Sequence, residues 1–128
     1  MSKKVFSEQA PAAIGPYSQG IEVEGYVYVS GQLPVNAAKN ELESGIQKQT
    51  DRCLQNIRSV LAAAGLVMED IVKTTVFMTD LGQFQTMNEV YSAYFKEPFP
   101  ARSTVQIAAL PKGASIEIEC IAKRKKSE

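Results

Sequence analysis

The chain has 128 residues, 45% of them hydrophobic, and carries 14 basic and 14 acidic side chains. That length buries roughly two-thirds of the surface exposed by the unfolded chain, enough for one domain spanning residues 1–128 without a disulfide or a structural metal. Zero net charge argues against a dedicated nucleic-acid binder, and the absence of histidine excludes Ser-His-Asp and Cys-His catalysis and histidine-containing zinc sites.

Ser2-Lys3-Lys4-Val5-Phe6 lacks the apolar run of a signal peptide, and the apolar stretch from Leu61 to Met68 is too short to cross a bilayer. A cytoplasmic protein is the expectation. Val5 and Phe6 suggest a first strand. Residues 10–17 contain Pro11, Gly15 and Pro16, which break regular structure. Ser18–Val23 and Tyr26–Ser30 read as strands joined by a tight Glu24-Gly25 turn. Tyr26-Val27-Tyr28-Val29 is apolar or aromatic on both alternating faces, the pattern of a strand covered on both sides.

Residues 31–43 read as a loop. Ser44 and Gln47 have capping-box spacing, and Ile46, Cys53, Leu54, Ile57, Val60, Leu61 and Ala64 form one helical stripe that ends at Gly65. Ile71–Thr79 is rich in β-branched residues and predicts a strand. Asp80 and Gln83 repeat the capping signal before a helix faced by Phe84, Met87, Tyr91, Tyr94 and Phe95. Pro98-Phe99-Pro100 stops that helix. Arg102–Ala109 predicts a strand, Pro111-Lys112-Gly113 a turn, and Ala114–Lys123 a final strand. The order β-β-β-α-β-α-β-β indicates an α+β fold, a mixed sheet with two helices on one face. Nothing is left to cover the other face, so a homo-oligomer with sheets packed inward is expected.

The last strand places Ile116, Ile118, Cys120 and Ala122 on one face and Glu117 and Glu119 on the other. Those carboxylates either face solvent or lie where another subunit covers them. Arg102 follows a rigid proline turn, where its planar fork suits a carboxylate, or equally a surface ion pair. Gly15-Pro16-Tyr17 and Ser30-Gly31 set hydroxyls beside residues that admit a ligand close to the backbone. Asn88 and Tyr91 share a helix face, although a tyrosine there also suits a core. Cys53 and Cys120 fit no metal or redox spacing and read as small buried residues. The run Lys123-Arg124-Lys125-Lys126 reads as a solvated end. No phosphate-binding glycine loop occurs, and nothing implies a cofactor or a metal.

Ordered segments across almost the whole chain resemble the RidA (YjgF) family of reactive-intermediate deaminases. They are Ala12-Ala13-Ile14-Gly15-Pro16-Tyr17-Ser18-Gln19, Ser30-Gly31-Gln32-Leu33-Pro34, Val72-Lys73-Thr74-Thr75-Val76-Phe77, Val90-Tyr91, Phe99-Pro100-Ala101-Arg102-Ser103, Leu110-Pro111-Lys112 and Ile116-Glu117-Ile118-Glu119-Cys120-Ile121-Ala122. The resemblance implies a chorismate-mutase-like fold, a homotrimer with clefts between subunits, and 2-iminobutanoate/2-iminopropanoate deaminase activity. It implies that Arg102 binds the substrate carboxylate, that Glu119 orients or activates water, and that Tyr17 lines or closes the cleft. Ser30, Gly31, Asn88, Tyr91 and Ser103 would border it. Thr104 departs from the Cys that many members carry after Arg-Ser. The alternatives are an endoribonuclease or translation inhibitor, disfavoured by the missing histidine and zero net charge, and a non-catalytic trimer that binds a small carboxylate and regulates a partner.

Overall fold

Alternation of apolar residues along the strands builds the sheet, and the same residues carry the core. The computed structural model describes residues 1–126. Its strands are β1 (Lys3–Val5), β2 (Gly20–Val23), β3 (Tyr26–Gln32), β4 (Val35–Asn36), β5 (Glu41–Leu42), β6 (Ile71–Met78), β7 (Ala101–Gln106) and β8 (Ile116–Lys123); its helices are α1 (Ile46–Ala63) and α2 (Phe84–Ser92). The main sheet runs β1-β2-β3-β8-β6-β7. All its neighbours are antiparallel except β6 and β7, which α2 connects as a parallel crossover.

One sheet face carries Val27, Val29, Val76, Met78, Ile116, Ile118, Cys120 and Ala122, and packs on α1 through Cys53, Leu54, Ile57, Val60 and Leu61. Met87 and Tyr91 of α2 join the same core, with Phe84, Tyr94 and Phe95 partly buried against it. The predicted stripes of both helices are therefore the faces they bury. Helix α1 ends as read from Gly65 (φ 77°): the Gly65 amide donates to Ala62 and the Leu66 amide to Leu61, while Leu66 packs into the core beside Leu61. Glu24 and Gly25 both have positive φ, as a tight right-twisted hairpin demands.

Several readings need correction. Residues 31–43 include the β4–β5 hairpin, which is too short to show a strand pattern. It is held from outside, by Asn56 of α1 donating to the Leu33 and Val35 carbonyls (both 3.0 Å). Ser44 does not cap α1. Gly45 stands at the N-cap with φ 86°, and buried Gln49 secures the helix start by donating to the Glu43 carbonyl (2.9 Å) and accepting from the Ser115 amide (2.9 Å). Asp80 caps a 3₁₀ turn at Leu81–Gln83 rather than α2 itself, and α2 ends at Ser92, well before the prolines. Phe6 lies beyond β1 and is exposed. The basic run is not simply a solvated end: Lys123 closes β8, and Arg124 grips the Glu22 carboxylate with two bonds of 2.9 Å and donates to the Ala64 carbonyl.

The strand read as covered on both sides is covered on one. Val27 and Val29 are buried, while Tyr26 and Tyr28 stand 41% and 46% exposed on the opposite face. That face also carries Ile21 and Ile121, the register partners of Tyr28, and Val105 of β7. A sheet face this apolar is uncovered in the single chain.

Candidate active site

Arg102 lies on the edge strand β7, in register with Thr74 of β6. Parallel neighbours in register share a face, so Arg102 points to the helix side, as buried Thr74 does. There its guanidinium meets α2. One terminal nitrogen donates to Asn88 Oδ1 (2.7 Å), and the guanidinium carbon lies 4.8 Å from the Tyr91 ring centre and 5.5 Å from that of Phe84. Phe84, Asn88 and Tyr91 are spaced i, i+4, i+7, which sets them on one stripe of the helix. Two aromatic faces and one amide oxygen fix the plane of the fork, and among the described residues no carboxylate neutralises it.

Tyr91 is held in turn. Its hydroxyl shares a 2.7 Å hydrogen bond with Thr74 Oγ1 in the core, and its ring packs 4.6 Å from that of Phe95. Burial raises the Tyr91 hydroxyl above its ordinary pKa, against the opposing effects of the Thr74 bond and Arg102. The phenol is therefore a neutral support. Arg102, Asn88 and Tyr91 border a cleft of about 390 Å³ completed by Ser92, Phe99 and Pro100. Thr104, two residues along the same face of β7, has a buried hydroxyl with no hydrogen-bond partner among the described residues.

Glu119 is elsewhere. It pairs across β8 and β6 with Thr75, which in turn pairs with Ser103 of β7. Glu119, Thr75 and Ser103 thus form a row on the uncovered face, where Lys73 Nζ donates to Ser103 Oγ (3.1 Å). Glu119 is exposed and Ser103 likewise. Arg102 and Glu119 therefore stand on opposite faces of one sheet.

Tyr17 and Gly31 line a third region, a groove of about 510 Å³ that also takes in Ile14 and Lys112. The loop that carries Tyr17 is shaped by buried Gln19, which donates to the Ser7, Ala10 and Pro11 carbonyls and accepts from the Ser7 amide (2.7 Å). Tyr17 itself is half exposed. Ser30 is tied inward, its hydroxyl donating to the Ser18 carbonyl (2.6 Å). Gly31 sits at a register shift between β3 and β8, and its missing side chain admits Glu117 rather than open space.

One chain thus assembles Arg102, Asn88 and Tyr91, and leaves Glu119 with Ser103, and Tyr17 with Gly31, as two further groups. Sequence reasoning missed Phe84 and Thr74 as supports of the arginine, although the helical spacing of Phe84 with Asn88 and Tyr91 pointed to the first. Among the described residues, no group of three or more His, Cys, Asp or Glu is placed to hold a metal, and no helix is long and apolar enough to cross a membrane.

A family profile described as Endoribonuclease L-PSP matches residues 7–124. A protein of Escherichia coli K12 named 2-iminobutanoate/2-iminopropanoate deaminase is 48% identical, over 98% of this chain and all of that protein. The crystal structure of E. coli TdcF with bound serine is 45% identical and superposes with a TM-score of 0.92, covering 96% of this chain and 99% of that one. RidA from an Antarctic Psychrobacter is 44% identical with a TM-score of 0.92, covering 94% and 98%. The match over nearly the full length, in sequence and in fold, shows that this chain belongs to the Endoribonuclease L-PSP family, also called the RidA or YjgF family.

Proposed function

We propose that this protein hydrolyses short 2-imino acids, of the 2-iminobutanoate and 2-iminopropanoate kind, to 2-oxo acids and ammonia. The observation that carries this reading is Arg102: a guanidinium fixed by Asn88, Tyr91 and Phe84, opening on a small cleft with no acidic partner among the described residues. Such a fork binds a carboxylate in two parallel bonds. The deaminase name of the E. coli relative, and the serine bound to TdcF, support a ligand of this size and charge.

The imine carbon is already electrophilic, so the work left is positioning and proton transfer. Arg102 holds the carboxylate and so fixes the imine carbon. Glu119 takes a proton from the attacking water. Tyr17 closes the cleft, and Ser30, Gly31, Asn88, Tyr91 and Ser103 border it. Because Arg102 and Glu119 lie on opposite faces of a sheet, the two come together only between copies of the chain. The uncovered face of Ile21, Tyr26, Tyr28, Val105 and Ile121 supports such an assembly, and we place it as a homotrimer with sheets inward. Its setting is the cytoplasm, where pyridoxal-phosphate-dependent dehydratases release these imines.

The test generates 2-iminobutanoate in situ from threonine with a dehydratase and follows its loss. Acceleration by the wild type that Arg102→Ala abolishes supports both activity and anchor. A well-folded wild type that leaves the rate unchanged sinks the reading and leaves a carboxylate-binding module.

A further inference from the structure

Helix α2 carries the three side chains that steady Arg102, yet little of α2 itself is buried. It has nine residues, of which only Met87 and Tyr91 are buried, and Gln83 at its N-cap makes no side-chain capping bond. A helix that short is marginal by itself in water, so its place depends on what ties it down. At the N-terminal end, the Leu81 amide donates to Gln106 Oε1 of β7 (2.8 Å). In the middle, the Tyr91 hydroxyl bonds that of Thr74 on β6. At the C-terminal end the turn continues through the amides of Ala93 and Tyr94, which donate to the Val90 and Tyr91 carbonyls (3.2 and 3.0 Å). The Tyr94 hydroxyl then donates to Asp51 Oδ1 of α1 (2.5 Å).

Asp51 is oriented by its own helix. Gln55, one turn on, donates to the other carboxylate oxygen (2.5 Å) and accepts from Arg52 (3.0 Å), which donates in turn to Glu43 (3.0 Å). The Arg58 guanidinium carbon lies 4.9 Å from the Tyr94 ring centre. Asp51, Gln55 and Arg58 are spaced i, i+4, i+7, so one stripe of α1 grips the side chain that follows α2. Burial, and after it the bond to Asp51, push the Tyr94 phenol up to about 12, so it stays a donor at neutral pH. Neither Asp51 nor Tyr94 lines the Arg102 cleft.

The clasp nevertheless bears on that cleft. Tyr94 follows Tyr91 by three residues, and Phe95 beside it packs 4.6 Å from the Tyr91 ring. Asn88 lies less than two turns back along the same segment. Arg102 tolerates little movement there: its bond to Asn88 is 2.7 Å, and N–H···O bonds span about 2.7–3.2 Å, so a shift of ~1 Å at Asn88 breaks it. The tie at Gln106 holds only the N-terminal end. The tie at Asp51 fixes the other end to α1, whose apolar stripe is packed in the core.

We propose that Asp51, acting through the Tyr94 hydroxyl, is a positioning residue for substrate binding: it fixes the C-terminal end of α2 so that Asn88 and Tyr91 aim the Arg102 fork at the substrate carboxylate. The proposal rests on the reading of Arg102 as that anchor. Glu119, the base of the proposed reaction, projects from the sheet face opposite the helices, so the clasp leaves proton transfer alone. Its loss removes binding shared by substrate and transition state, which raises KM and spares kcat.

The test measures 2-oxobutanoate binding by calorimetry and imine turnover, on the intact wild type and on Tyr94→Phe, Asp51→Ala and Asp51→Asn. Sedimentation and thermal melts check assembly and folding. Asp51 is partly exposed on α1 and alanine suits a helix, so Asp51→Ala carries the test even where Tyr94→Phe misfolds. Tyr94→Phe and Asp51→Ala should each weaken 2-oxobutanoate binding and raise KM about three- to tenfold, with kcat within about twofold. Asp51→Asn keeps an acceptor for the hydroxyl and should bind within about twofold of wild type. In an Asn88→Ala background the bond that the clasp protects is already gone, so Tyr94→Phe should add less than about twofold. A folded, assembled Asp51→Ala that binds 2-oxobutanoate within about twofold of wild type overturns the proposal. So does a Tyr94→Phe effect that persists in full beside Asn88→Ala, or an Asp51→Asn as weak as Asp51→Ala. A wild type that binds 2-oxobutanoate yet turns over no imine sinks the hydrolase reading alone, so the two failures stay apart.

Discussion

Arg102 and Glu119 sit on the two strands that flank β6, in register with Thr74 and Thr75, and so project from opposite faces of the sheet. Adjacent β-residues alternate faces, and no side-chain rotation reverses that. A carboxylate held by Arg102 in one chain is therefore out of reach of Glu119 in the same chain.

Activity should follow assembly. Tyr28 stands on the uncovered face between Ile21 and Ile121. Tyr28→Glu buries a charge in any contact made there, which costs several kcal/mol. We expect this variant to sediment as a monomer with its helix content intact and to lose imine hydrolysis by at least ~100-fold. A monomer with wild-type turnover would remove the shared-site reading.

Arg102→Lys should recover little of the activity lost in Arg102→Ala, because an ammonium cannot span both carboxylate oxygens or stack on Tyr91 and Phe84. Asn88→Ala frees one end of the fork without removing its charge. That hydrogen bond contributes about 1 kcal/mol net, so kcat/KM should drop about three- to tenfold, chiefly through KM. Steady-state kinetics of the three variants checks the ranking.

Tyr91→Phe should destabilise the fold by about 1–3 kcal/mol, because it leaves the fully buried Thr74 hydroxyl without its 2.7 Å partner. Adding Thr74→Val removes the stranded hydroxyl and should restore most of the loss. Urea denaturation of the two single variants and the double variant measures the coupling directly.

Thiol reagents should leave the native protein untouched. Its two thiols, Cys53 and Cys120, are buried in the core; burial pushes Cys120 up to about 12 and Cys53 well above its ordinary value. The thiolate is the reactive form, and both groups stay protonated at neutral pH. Thr104, two residues beyond Arg102 on β7, leaves no thiol beside that arginine. Dithiobis-nitrobenzoate should therefore label neither cysteine in buffer and both in guanidinium chloride, with no loss of activity in the native sample.

Features settled within a few residues were legible in the sequence. The stripe of α1, its Gly65 stop, the Glu24-Gly25 turn and the strand alternation that separates Ile118 from Glu119 are periodicities of 3.6 and 2, or single backbone conformations, and each leaves its mark locally. The family segments around Tyr17, Arg102 and Glu119 were legible for the same reason. What the sequence did not disclose depends on partners distant in the chain. The β4–β5 hairpin is held by Asn56, the start of α1 by Gln49 reaching Ser115, and Arg124 by Glu22 and Ala64. Alternation set Glu117 on the face of Glu119, and only the pairing of β3 with β8 brought Gly31 against it. Spacing likewise could nominate Arg102 and Glu119 together, but the sheet register alone decides that one chain holds them apart, because a strand's register determines which face every one of its side chains shares with its neighbours.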